Sequence, residues 1–254
     1  MTEGIVVNYG FVGNLIIRGK IVAETGLLIG GSEEMTEIGG IDKQVIRDAD
    51  GMPYIPGSSL KGKMRSLLEW YYKKVGESGI HVCKDVNEAL KCPVCRVFGV
   101  PADQEMKIGP TRLICRDGHV TERTREELRR MGALEVKTEN VIERLTSKSK
   151  NLRTFERVPK GSEFNMELVY SVYNLNGDSE TDKKFVEVVF QGMELLRDSY
   201  IGGSGSRGYG KISFRDITCT WKTAKDYEEN KEGKSISLGE TLAIDEVRKL
   251  IGSP

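Results

Sequence analysis

Four side chains in one short stretch carry the most specific chemistry of the sequence. His81-Val82-Cys83 and Cys92-Pro93-Val94-Cys95 supply three thiolates and an imidazole, the donor set that tetrahedral structural zinc prefers. Cys-Pro-x-Cys is the stronger half, because its tight turn aims both sulfurs at one point. His-x-Cys is looser, which leaves another group as an alternative fourth ligand. The plain alternative for the whole set is four unconnected buried side chains. With His81, Cys83, Cys92 and Cys95 all bound, no position remains for an activated water, so the zinc is structural. Cys115 and Cys219 stand in strand-like segments and are expected in the core. Three clustered cysteines among five favour metal over a disulfide framework.

A second chemical segment is Gly202-Gly203-Ser204-Gly205-Ser206-Arg207-Gly208-Tyr209-Gly210-Lys211. It contains G-x-G-x-x-G at Gly203, Gly205 and Gly208, and G-x-x-x-x-G-K ending at Gly210 and Lys211. Both nucleotide fingerprints need a strand before and a helix after, so that the helix N-terminus meets the phosphate. Here a helical pattern precedes, a β-rich run follows, and Ile212 occupies the hydroxyl position. Both readings fall. What remains is a loop whose backbone amides can approach a phosphate, with Arg207 and Lys211 for charge and Tyr209 for stacking. Gly203, Ser204, Gly205 and Ser206 complete that candidate RNA contact. Its plain alternative is a helix-to-strand turn.

A third segment, Ile55-Pro56-Gly57-Ser58-Ser59-Leu60-Lys61-Gly62-Lys63-Met64-Arg65, opens a helix. Lys61 and Arg65 are four apart and share a face opposite the Leu60, Met64 and Leu68 stripe. Small residues at Gly57, Ser58, Ser59 and Gly62 leave amides free at the positive helix end. Lys61, Lys63 and Arg65 are therefore candidate phosphate contacts, against a plain alternative of solvated lysines on a capped amphipathic helix.

The elements that must position these groups follow from periodicity. Residues 14–24 read as a first strand, with Gly19 marking a bulge or close approach. A Gly-rich acidic loop covers 25–40, and Ser58 or Ser59 caps the first helix. Phe164, Met166, Leu168, Tyr170 and Val172 alternate as a half-buried strand. Residues 182–198 predict a second helix, 211–221 a strand, and the tail a helix after Leu238. Residues 135–144 form one arm of an extended hairpin. Strand, helix, insertions, strand, helix, strand predicts an α+β fold with a ferredoxin-like, RNA-recognition-type core. The expected organisation is one domain over 1–254, with insertions at about 74–105 and 117–160.

Composition sets the outer bounds. The chain has 254 residues, 38% of them apolar, and no apolar run approaches the ~20 that cross a membrane. Met1-Thr2-Glu3-Gly4 lacks a signal-peptide pattern, so no membrane partner and a cytoplasmic location are expected. Basic and acidic side chains balance at 38 each, but residues 107–160 carry fourteen Lys or Arg against eight Asp or Glu. Polyanion binding needs a basic surface rather than a basic protein.

Leu28-Ile29-Gly30-Gly31-Ser32, Gly39-Gly40-Ile41-Asp42, the run from Ile55 to Arg65 and the glycine loop together resemble the RAMP superfamily. The match looks closest to the backbone subunits of type III-A CRISPR effector complexes. Thr111-Arg112-Leu113-Ile114-Cys115-Arg116-Asp117 and residues 135–144 share the resemblance, which thus spans about 26–214. It implies an RNA-recognition-type core with an inserted lid, here the zinc knuckle, and a thumb β-hairpin inside 117–160. It also implies copies of the chain stacked in a filament along a CRISPR guide RNA, beside other Csm effector subunits. Each thumb would pry a nucleotide from the guide's pairing with single-stranded target RNA. The glycine loop and Lys61, Lys63 and Arg65 would hold guide phosphates.

Asp42 matches the family's catalytic aspartate; from the sequence alone it reads as a turn residue of a Gly-rich loop. The implied activity is a metal-dependent endoribonuclease, using Mg or Mn, that cuts the target once per subunit. Forcing the neighbouring 2′-hydroxyl in line with the scissile bond supplies much of the barrier reduction. An ordinary aspartate pKa of ~3.9 makes a weak base at neutral pH, which favours a metal-positioning role. One alternative is a non-cleaving RNA-binding scaffold of the same superfamily. Another, a guide-processing nuclease acting alone, usually relies on histidine, and this chain has only His81 and His119.

Overall fold

The computed structural model describes residues 9–30, 43–76, 79–101, 106–132 and 134–252. In chain order the elements are β1 (Tyr9–Ala23), β2 (Tyr54–Ile55), α1 (Gly57–Tyr71), α2 (Val86–Lys91) and α3 (Pro93–Phe98). There follow β3 (Leu113–Cys115), β4 (Gly118–His119), α4 (Glu122–Met131), β5 (Glu135–Ile142) and β6 (Ser149–Arg157). The last are β7 (Glu163–Leu175), α5 (Glu180–Lys184), α6 (Val186–Asp198), β8 (Ile212–Thr223), α7 (Ala224–Glu228), β9 (Lys234–Gly239) and α8 (Ile244–Ile251).

One antiparallel sheet organises them, in the order β3-β7-β1-β8-β9. Without the edge strand β9, the four remaining strands and the two helices α1 and α6 give the order of a ferredoxin-like unit. Alternation decides which face is inside. Leu15 and Ile17 of β1, with Phe164, Met166, Leu168, Tyr170 and Val172 of β7, point to the helices and are buried. There they meet Leu60, Met64 and Leu68 of α1 and Val189, Met193 and Leu196 of α6. Gly19 sits where the β1–β8 register shifts, and a Cβ there would lie 2.9 Å from the Arg215 carbonyl.

Three expectations need correction. The first helix is capped by neither Ser58 nor Ser59: it starts at Gly57 behind Pro56, and no side chain caps it from that position. Instead the Gly57 amide donates to Asp117 Oδ1 at 2.7 Å. The predicted helix over 182–198 is two, α5 and α6, joined at Phe185. The break serves Asp182, which is fully buried and accepts from Arg96 Nε (2.5 Å), Arg112 Nε (3.1 Å) and the Tyr173 amide (3.0 Å). The third is an omission inside 117–160: the expected hairpin is present as β5–β6, and helix α4, absent from the sequence reading, precedes it. The Thr121 side chain accepts from the Thr124 amide at its start, and Gly132 ends it in the left-handed conformation. Beyond it the β5–β6 hairpin carries exposed Val136, Ile142, Leu145 and Leu152.

Candidate functional site

Four segments far apart in sequence meet at one end of the sheet. Leu27 and Val158 exchange both backbone hydrogen bonds (3.0 and 2.8 Å), which ties the loop after β1 to the hairpin's return arm. The Ile46 amide donates to the Ile29 carbonyl at 2.9 Å, and the Glu156 amide to the Lys43 carbonyl at 3.0 Å. Glu156 is buried and locks the same strip from the other side: its carboxylate accepts from the Val45 amide (3.0 Å) and Arg47 Nη2 (2.5 Å). The glycine loop closes the set. Gly203 donates to the Leu28 carbonyl (2.7 Å) and Gly210 to the Gly26 carbonyl (3.0 Å). Gly202, at φ 80°, lies so close to the Leu28 carbonyl that a Cβ would collide with it. Asp42 lies outside the described residues; Lys43, next to it in the chain, is part of this junction.

The glycine loop turns through Ser204 at φ 58° and a 3-10 turn over Gly205–Arg207. Ser206, Arg207 and Lys211 are exposed, whereas Ser204 and Gly205 are half-buried. Arg207 sits 3.8 Å from Glu139 of β5. Tyr209 departs from its expected role as a stacking platform. Its ring is 1% exposed, with Lys137 Nζ 4.5 Å and the Arg157 guanidinium 5.3 Å from its centroid. A buried ring cannot stack on a base, and its place is the seam between loop and hairpin. Burial first, then the Glu139 carboxylate, push its phenol up to about 12.

The three cations of α1 point in three directions. Lys63 Nζ lies 3.7 Å over the Tyr200 ring, and the same ring packs flat on Gly205, where a Cβ would collide with it. Tyr200, which nothing in the sequence singled out, thus joins Lys63 to the glycine loop. Lys61 is half-buried near Cys115, and burial lowers its pKa. Arg65 turns inward: Nη1 donates to the Gly99 carbonyl (3.1 Å), Nη2 to the His81 carbonyl (2.8 Å) and Nε to Glu69 (2.8 Å). Three of its donors are engaged within the protein and the side chain is only 14% exposed, which leaves little of it for the expected phosphate contact.

His81, Cys83, Cys92 and Cys95 come together as their spacing predicts. Their ligand atoms lie within 4.8 Å of one another, so the cluster can hold a metal ion. His81 Nε2 is 3.4 Å from Cys83 Sγ and 3.5 Å from Cys92 Sγ, close to the ~3.5 Å that tetrahedral zinc bonds impose. Cys92 caps α3 and Cys95 lies in its first turn. The Cys95 thiol, against the opposing cost of burial, and the Cys95 amide hold Cys92 down at about 4. Burial pushes Cys83 up to about 11, and the hydrogen bond to Cys92, then burial, push Cys95 higher still. Cys219 is buried, whereas Cys115 is only half-buried. Among the described residues no helix is long and apolar enough to cross a membrane.

The model of the RAMP superfamily matches residues 20–213. The CRISPR system Cms endoribonuclease Csm3 of Methanocaldococcus jannaschii is 43% identical over 235 residues, covering 91% of this chain and 90% of its own. The protein of the same name from Methanothermobacter thermautotrophicus is 42% identical over 249 residues, covering 92% and 96%. Among solved structures, a Csm3–Csm4 subcomplex of a type III-A CRISPR-Cas interference complex superposes with TM-score 0.62 at 33% identity, covering 96% of this chain and 97% of that one. Methanopyrus kandleri Csm3 gives 0.59 at 28% identity, covering 87% and 80%. The chain belongs to the RAMP superfamily and, within it, to the Csm3 family.

Proposed function

We propose that the chain is the guide-RNA-binding backbone subunit of a type III-A CRISPR effector complex, and that it cleaves complementary target RNA at regular intervals through Asp42. The observation that carries this reading is the junction of the glycine loop, the strip starting at Lys43, the hairpin and the loop after β1. It gives a phosphate-binding loop and a protruding arm one common base, next in the chain to the candidate catalytic residue. Gly203, Ser204, Gly205, Ser206, Arg207 and Lys211, with Lys63 and Lys61, hold guide phosphates. The exposed apolar side chains of the hairpin wedge a nucleotide out of the duplex. A nucleotide splayed in this way can bring its 2′-hydroxyl in line with the scissile bond, which continuous helix forbids. Asp42 would position the divalent ion beside the reacting ribose. Magnesium or manganese, when bound, would supply positive charge to the phosphate as it reacts. His81, Cys83, Cys92 and Cys95 hold a structural zinc. Further copies in a filament and other Csm subunits are the protein partners, and the complex works in the cytoplasm.

The test compares assembled complexes carrying Asp42 or Asp42→Ala on complementary RNA. Binding is expected to persist, with cleavage reduced about 100-fold or more. Undiminished cutting would assign catalysis elsewhere, and loss of both binding and cutting would point to failed assembly.

A further inference from the structure

The histidine of the zinc knuckle is held by the first helix through its backbone. The His81 amide donates to Glu69 Oε1 at 3.2 Å, and its carbonyl accepts from Arg65 Nη2 at 2.8 Å. Arg65 also reaches the carbonyl of Gly99, the residue that ends α3. The two side chains are bonded to each other at 2.8 Å and are only 14% and 10% exposed. One guanidinium therefore ties together both halves of the ligand set. His81 and Cys83 sit on one arm, while Cys92 and Cys95 sit at the start of the helix whose end Arg65 grips. The chain leading into the His81 arm, Gly79 and Ile80, is exposed, and Gly79 stands at φ 113°. The brace is thus a polar restraint, anchored on a long helix, on where that arm lies.

We propose that Arg65 and Glu69 are positioning residues of the metal centre. They hold the His81–Cys83 arm at the separation from Cys92 and Cys95 that one tetrahedral ion requires. The inference rests on the zinc reading given above. Groups that orient metal ligands from outside the coordination shell typically change metal affinity 10–100-fold when removed. Fixing both backbone groups of His81 acts in the same way, because the ion no longer has to order the arm. Lysine at position 65 keeps the charge but lacks the planar fork that spans two carbonyls and a carboxylate. A charge-conserving change should therefore still loosen the site.

The experiment uses the full chain with Arg65→Lys, Glu69→Gln and Arg65→Ala. Zinc affinity is read by competition with a chromogenic chelator, and site geometry by the visible absorption of the cobalt-loaded protein. Binding of guide-length single-stranded RNA is measured on the same samples. The expected result is one zinc per wild-type chain, affinity about 10–100-fold weaker in the variants, altered cobalt bands, and unchanged RNA binding. Arg65→Lys and Glu69→Gln decide the matter should Arg65→Ala fold poorly. Unchanged zinc affinity and cobalt spectra in these variants overturn the proposal while leaving the zinc reading intact. So does a loss of melting temperature that is equal with and without zinc, the mark of a merely structural role. A wild-type chain that binds no stoichiometric zinc removes the zinc reading itself, and this inference with it.

Discussion

Tyr209 fills the seam between the glycine loop and the β5–β6 hairpin, and Lys137 and Arg157 make that seam electrostatic as well as apolar. The ring supplies almost all of the contact, and its buried hydroxyl, though it faces the Glu139 carboxylate, completes no well-formed hydrogen bond. Tyr209→Phe keeps the ring and both cation contacts and removes only that hydroxyl, so its stability should change by less than ~1 kcal/mol. Tyr209→Ala empties the seam and should cost about 3–5 kcal/mol, read from urea denaturation. If the ring instead stacked on a base, Tyr209→Ala would weaken RNA binding and leave the unfolding midpoint in place. At this scale the positions of Arg65 and Tyr209 were legible in the sequence, but the directions of their side chains were not. The partners of Arg65 lie at Glu69, His81 and Gly99, and those of Tyr209 at Lys137 and Arg157. Only Glu69 falls within local helical spacing.

The glycine loop shows how an element can be specified by close approach. Gly202 and Gly210 have positive φ and back onto the Leu28 and Ile201 carbonyls, and Gly205 backs onto the Tyr200 ring. Gly208 also has positive φ, but with open space around it. Gly202→Ala combines backbone strain with collision and should cost more than ~2 kcal/mol and weaken RNA binding. Gly208→Ala carries left-handed strain alone, about 1 kcal/mol. Thermal melts and RNA titrations of the pair separate the two effects; equal costs would deny the close approach its role. The strands and main helices were legible as elements, since Phe164 to Val172 alternate and Leu60, Met64 and Leu68 recur at helical spacing. Helix α4 had its signals in Thr121 and Gly132, but Glu-Arg-Thr-Arg-Glu-Glu-Leu-Arg-Arg between them offers one buried leucine and no apolar stripe. The break between α5 and α6 was hidden because an aspartate at position 182 looks like a helix start. Its actual role depends on Arg96 and Arg112, about 70 or more residues away along the chain.

The whole molecule is tied across its insertions by charge buried in the core. Arg96 lies on the helix that carries two of the candidate zinc ligands, Arg112 enters β3, and Asp182 lies on α5 against β7. All three side chains are almost or wholly removed from water. Arg112 spends a further donor on the Ile108 and Pro110 carbonyls. This triad connects the knuckle to the sheet in addition to the apolar core that Val94, Val97 and Phe98 share with it. A buried ion cluster is weak evidence of net stabilisation, since desolvation offsets attraction, but removing one member leaves uncompensated charge. Asp182→Asn keeps the shape of the side chain and leaves two guanidinium ions facing an amide. It should cost about 3–5 kcal/mol, seen as a lower urea midpoint at unchanged slope. Coupling between Arg96→Met and Asp182→Asn should then reach roughly 0.5–3 kcal/mol in a double-mutant cycle, because the second change relieves part of what the first leaves unpaired. A single-variant cost below about 1 kcal/mol, within the range of surface pairs, would show that water reaches the cluster and that the knuckle is joined to the sheet by packing alone.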